Sequence, residues 1–202
     1  TVDVMSKGRL NVGVGVGALK PESDALGSTF ETRGRYADES IKIMRELWES
    51  EDPEFDGEFF SFSGVKFSPK PIQKPGPPIL IGGASRAALR RVATLGDGWH
   101  PIRQSIADLK QNIATIHRLA EEAGRDPSEI TVTVRTELDV LDSRSDGTES
   151  SMIGTADQLR ATIEQYEEIG VSELVLSVST DDVERIQRTQ DRFAAQVIHG
   201  PS

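Results

Sequence analysis

The sequence predicts an α/β protein with a parallel sheet, and three observations predict it. Strand-like and helix-like segments alternate five times along 202 residues. Parallel strands need a crossover connection, and a helix is the usual one. Two of the strand-like segments end in glycines, "GVGVG" (13–17) and "LIGG" (80–83), as strands do where something must approach the backbone closely. With no cysteine and 36% hydrophobic residues, the chain must hold itself together by a packed core.

Each element has its own warrant. In "RLNVGVGVG" (9–17), Leu10, Val12, Val14 and Val16 alternate with Asn11, Gly13, Gly15 and Gly17, and period two means strand. "TRGRYADESIKIMRELWES" (32–50) carries Ala37, Ile41, Met44 and Trp48 on one helical stripe. Residues 51–77 are proline-rich without helical period, so they read as an insertion with a short hairpin around "GEFFSF". "PILIGG" (78–83) is a short buried strand. Ser85 caps the helix "RAALRRVATLG", and Gly96 ends it in the left-handed position that follows many helices. "DGWHPI" (97–102) is a strand or its end.

Ile106, Leu109, Ile113, Ile116 and Leu119 mark the next helix, closed by Gly124. "EITVTVRTELDV" (129–140) is a strand and "SRSDGTESS" (143–151) a polar loop. Thr155 caps a helix carrying Leu159, Ile163, Tyr166 and Ile169, with Gly170 after it. "SELVLSV" (172–178) is the fifth strand. Val183, Ile186, Phe193 and Val197 mark the last helix. The whole chain, residues 1–202, reads as one domain.

Charge narrows the function. A net charge of −10 argues against a nucleic-acid or anionic-membrane surface, which needs a basic patch. The three histidines, His100, His117 and His199, lack metal-ligand spacing, so no metal site is expected. No apolar run reaches the roughly 20 residues of a membrane span. A cytoplasmic location is the expectation.

The glycines carry the site. Gly13, Gly15 and Gly17 leave one strand face bare, suited either to tight internal packing or to a flat ligand. "GVGVG" only loosely resembles a dinucleotide fingerprint, because "ALKPESDALG" follows where a helix should start. After "ILI", the chain offers Gly82, Gly83, Ala84 and Ser85 at a helix N-terminus, where backbone N–H groups suit an anion, and Arg86 could add charge. An ordinary strand-to-helix turn with a serine cap explains the same residues. In "GDGWHP", Trp99 and His100 point opposite ways, so at most one faces a pocket.

Together these stretches are similar to the bacterial luciferase-like monooxygenase family. "SKGRLNVGVGVGALKPESDALGSTFETRGRYADESIKIMRELWES" and the long string "PKPIQKPGPPILIGGASRAALRRVATLGDGWHPI" carry the resemblance, which "IGTADQLRATIEQYEEIGVSELVLSV" continues. The resemblance looks closest to the branch that uses coenzyme F420, with FMN as the alternative. It implies a (β/α)8 TIM barrel, here apparently lacking the first three βα units and carrying an insertion at about 51–77. It implies a flavin- or deazaflavin-dependent oxidoreductase, with a non-catalytic truncated barrel as the alternative. By resemblance, Gly15, Val16, Gly17, Gly82, Gly83, Ala84 and Ser85 bind the coenzyme; Arg86 beside them is the charged cofactor-binding candidate, and among the residues present His100 is the candidate catalytic residue. Ala18 stands where relatives often carry a large aromatic residue, so ring stacking there is not expected. Open sheet edges imply a homo-oligomer, most simply a dimer.

Overall fold

The computed structural model describes residues 1–145 and 150–200. Residues 146–149 of the expected polar loop lie outside the described residues. The chain divides into two compact units, Thr1–Trp99 with Ile116–Ile130, and His100–Thr115 with Thr131–Ser202.

In the first unit the elements are α1 (Val2–Met5), β1 (Val12–Val14), α2 (Lys20–Ala25), a 3-10 turn (Phe30–Thr32), α3 (Arg33–Glu49), β2 (Phe55–Asp56), β3 (Ser61–Phe62), β4 (Ile79–Gly82) and α4 (Arg86–Leu95). β5 (Gly98–His100) begins in this unit, and α5 (Ile106–Glu122) ends in it. β1 and β4 pair in parallel, with Val12 opposite Ile79 and Val14 opposite Ile81. The expected strand over 9–17 is therefore real but shorter. Its alternation survives: the valines are half-buried and the glycines exposed.

Ile79 and Ile81 are buried under α4, which contributes Ala88, Leu89 and Val92. α3 buries Ala37 and Ile41, as its stripe predicts. It also buries Glu39, which the stripe does not predict. Asp3 is buried as well, its carboxylate accepting from the Ile72 and Gln73 amides at 2.7 and 3.1 Å.

Three departures from the sequence reading have physical causes. α2 forms in the stretch read as irregular, because Pro21 sits in the first turn, where its missing N–H has no helical partner to lose. Gly96 is not in the left-handed region; its backbone is extended, with φ −85° and ψ 159°. A Cβ there would come 2.7 Å from Ile81 Cγ1, so close packing requires the glycine. The α4 C-terminus is closed instead by Arg125, whose Nη1 donates to the carbonyls of Val92, Ala93 and Gly96. A cation suits the negative end of a helix. β7 (Met152–Gly154) forms where no strand was read.

The second unit contains β6 (Thr131–Val140), β7, α6 (Ala156–Glu168), β8 (Glu173–Ser177) and α7 (Val183–Phe193), which runs on into a π turn (Ala194–Ile198). β6 pairs in parallel with β8 over 133–137 and with β7 over 138–140. Val132, Val134, Leu138 and Val140 are buried, while Arg135 and Glu137 on the opposite face are exposed. α6 starts on a full capping box, with Thr155 and Gln158 exchanging bonds. Gly170 follows α6 at φ +87°, a left-handed cap.

Candidate functional site

The parallel register assembles the glycine site. Val14 lies opposite Ile81, so one step further Gly15 stands beside Gly82 at the C-terminal ends of two neighbouring strands. A Cβ built on Gly13, Gly15 or Gly17 would meet nothing within 4 Å. Among the described residues no internal packing accounts for the bare strand, and its backbone is open there. Gly17 turns at φ +76° and Gly83 at φ +92°, conformations that glycine adopts without the Cβ penalty.

Trp99 holds the second turn. It is fully buried, and its Nε1 donates to the Gly83 carbonyl at 2.8 Å. That bond fixes the peptide leading into Ala84 and Ser85. Ser85 then caps α4, its hydroxyl accepting from the Ala88 amide at 3.2 Å. Trp99 thus belongs to the core and acts on the turn from beneath.

Gly15 and Val16 line a cavity of about 540 Å3 walled by α2, the start of α3 and the hairpin residue Phe59. Two of its other residues, Arg33 and Tyr36, and Glu39 behind the hairpin were not singled out from the sequence. Arg33 donates from Nε to the Gly17 carbonyl at 3.2 Å and from Nη1 to the Phe30 carbonyl at 2.7 Å, with its guanidinium 3.6 Å from the Phe30 ring centre. A cation in the first turn of a helix opposes the macrodipole, and that was the available signal that Arg33 is held by something else. Tyr36 packs on Phe59 and Phe60, at ring-centre distances of 5.4 and 5.1 Å. Glu39 anchors the hairpin tip, accepting from the amides of Glu58, Phe59 and Phe60.

Arg86 does not line this cavity. It borders a separate cleft of about 600 Å3 with Asp38, Arg90 and Arg91. Arg91 is buried there, paired with Asp38 and donating to the Gly34 carbonyl at 3.0 Å.

In the second unit His100 Nδ1 lies 2.6 Å from Thr133 Oγ1. Thr133 is in turn opposite Glu173, so His100, Thr133 and Glu173 form a polar row. Burial pushes the imidazole pKa below its ordinary value; Glu173 pulls it up and Arg135 pushes it further down, the balance remaining low. A lowered pKa favours the neutral ring. Among the described residues no group of three or more His, Asp or Glu could hold a metal ion, and no helix is long and apolar enough to cross a membrane.

Parallel strands followed by helices, with glycine turns at the strand C-termini, are where α/β folds place their ligand sites. The family model for luciferase-like monooxygenases matches residues 1–152, and the chain belongs to that family. It is 40% identical over 125 residues to an uncharacterized protein of Mycobacterium tuberculosis, covering 61% of this chain and 42% of that one. It is 31% identical over 127 residues to the FMNH2-dependent dimethylsulfone monooxygenase of Pseudomonas putida, covering 61% of this chain and 35% of that enzyme. The chain thus spans well under half the length of these relatives. Its fold matches a monooxygenase from Streptomyces bottropensis with a TM-score of 0.83 at 23% identity, over 98% of this chain and 70% of that one. It matches an F420-dependent secondary alcohol dehydrogenase at 0.82 and 22% identity, over all of this chain and 73% of that one.

Proposed function

We propose that this chain binds a flavin-type coenzyme, F420 in preference to FMN, at the paired glycine ends of β1 and β4, as part of an oxidoreductase acting on a small molecule. The observation that carries the proposal is the open backbone: two glycine segments stand at the ends of paired strands, and no side chain among the described residues fills the space that a Cβ would take at Gly15 and Gly17. Family membership and relatives named for FMNH2 and F420 support the same reading.

The coenzyme, when bound, supplies the hydride or the activated oxygen. The residues of this chain bind and orient. Amides at Gly83, Ala84 and Ser85 offer donors to an anionic tail, with Trp99 holding the turn in place. Gly15, Val16 and Gly17 give a ring edge room to approach the backbone, and Arg33 holds the Gly17 carbonyl turned aside. Arg86, facing the α3–α4 cleft, acts through its charge and not by contact. His100 is the proposed proton-transfer residue, its imidazole beside the Thr133 hydroxyl.

The test is fluorescence titration with oxidised F420 and with FMN. Gly83→Val is a poor variant, because φ +92° would strain the turn regardless of the ligand. Gly15→Val is the cleaner one: its Cβ meets open space and its φ is ordinary. Binding should weaken about tenfold or more, roughly 1.4 kcal/mol, with circular dichroism and melting unchanged. Equal affinity of the wild type and the Gly15→Val variant for both coenzymes would remove the glycine site from the proposal.

A further inference from the structure

The second unit holds a cavity of about 520 Å3 that the coenzyme proposal does not use. Its lining includes Arg103, Arg135, Glu137, Ser150, Ser177 and Ser179. Two features set the arginines apart. Arg160, Arg185, Arg188 and Arg192 in the same unit each pair with a carboxylate. Arg103 and Arg135 have no carboxylate within 4 Å among the described residues, and both face the same cavity. In a chain of net charge −10, two unpaired guanidiniums on one cavity make a local positive island.

The backbone holds them in position. Ile102 and Arg135 form a parallel bridge, and the Arg135 amide donates to the Pro101 carbonyl at 3.1 Å. Arg103, the next residue, sits at φ +52°, a conformation uncommon outside glycine that turns the chain directly after the bridge. Ser177 lies opposite Glu137 in the β6–β8 register, its hydroxyl donating to the Thr136 carbonyl at 3.3 Å, and Ser179 follows two residues on. The opposite face of β6, with Val132, Val134 and Leu138, is buried, so its alternation presents Arg135 and Glu137 together to the open side.

We propose that this cavity is a binding site for the oxyanion group of a small acid, a carboxylate, sulfonate or phosphate, held by Arg103 and Arg135 with the Ser179 hydroxyl in the loop that follows β8. Guanidinium groups match such oxyanions through paired N–H donors, and a hydroxyl completes the set. Glu137 sets the limit: its carboxylate repels an anion, which favours singly charged ligands. Its residues and its test share nothing with the glycine turns, so either site can fail without the other.

The experiment is calorimetric and NMR titration of the full chain with inorganic phosphate, sulfate, methanesulfonate and acetate at low salt. The wild type should show saturable binding of at least one of these. Arg135→Gln and Arg103→Gln should each weaken it about tenfold, in line with loss of a charge-assisted bond. Arg135→Lys should keep part of the affinity. Glu137→Gln should tighten binding several-fold, and a gain of affinity cannot be produced by misfolding. The anion preferred among the four names the ligand class. Linear, non-saturable shifts with all four anions, or one affinity shared by the wild type and both arginine-to-glutamine variants, would overturn the site.

Discussion

At the scale of single residues, buried charge controls the site walls. Glu39 is buried and accepts from three consecutive amides at the tip of the β2–β3 hairpin. Removing its carboxylate leaves those amides without their acceptor and releases Phe59 and Phe60 from Tyr36. Glu39→Ala should therefore cost about 2–3 kcal/mol, read as a lower urea midpoint. Glu39→Gln should cost less, because the amide oxygen still accepts. His100 gives a second residue-level prediction. Its neighbours act with opposite sign, so Arg135→Gln should raise the imidazole pKa and Glu173→Gln should lower it. NMR titration of the ring protons reads both, and shifts in the same direction would refute the electrostatic account.

At the scale of elements, the strand-to-helix turns do the positioning. The β4–α4 turn is held from three sides: the left-handed Gly83, the Trp99 bond to its carbonyl, and the Ser85 cap. At the other end of α4, Gly96 lets the helix close down on Ile81, and Arg125 gathers the last carbonyls. Gly96→Ala should cost about 1–3 kcal/mol by overpacking, measured as a loss of melting temperature. Arg125→Ala should fray the same end, because the Ala93 and Gly96 carbonyls lose this donor while Val92 keeps only the Gly96 amide. Were Gly96→Ala neutral, α4 would have to slide along β4 at no cost, and the close-packing account would fail.

At the scale of the whole molecule, acid sensitivity follows from the lowered pKa values. Burial alone would raise the Asp3 pKa, but hydrogen bonds from the Gln73 side chain and amide and the Ile72 amide outweigh it and hold the carboxyl below its usual range. Both His100 and Asp3 have depressed folded-state values, so the unfolded chain takes up the proton first and stability rises with pH. The His100 contribution is complete above about 6.5 and is lost as pH falls from there. The Asp3 contribution is complete above about 4 and is lost below it. Urea midpoints measured from pH 8 to pH 3 should show two successive declines, and a midpoint that rises on acidification would contradict both. Assembly is the other prediction at this scale. β1 pairs with β4 on one side only, among the described residues, and an open parallel edge invites association. Light scattering should give a mass of at least twice 22.1 kDa, and a stable monomer would contradict the expectation of a dimer.

The fold class was legible in the sequence because it rests on local periods. Alternating valines, the Ala37–Ile41 stripe and the Ser85 and Thr155 caps each declare an element within a few residues, and their order implies parallel pairing. The two glycine segments were legible for the same reason: a missing side chain is visible in the sequence wherever the strand is. What the tertiary structure decided is what those glycines meet and what stands around them. Only the β1–β4 register places Gly15 beside Gly82, and only packing shows that Gly15 opens on empty space while Gly96 abuts Ile81. Arg33, Tyr36 and Glu39 were hidden because a helical stripe reports which residues face the core, whereas these act through partners 16 to 24 positions away. Arg103 and Arg135 were hidden for a related reason. A charge is legible in the sequence, but whether it has a partner is settled only when every other charge has taken its place.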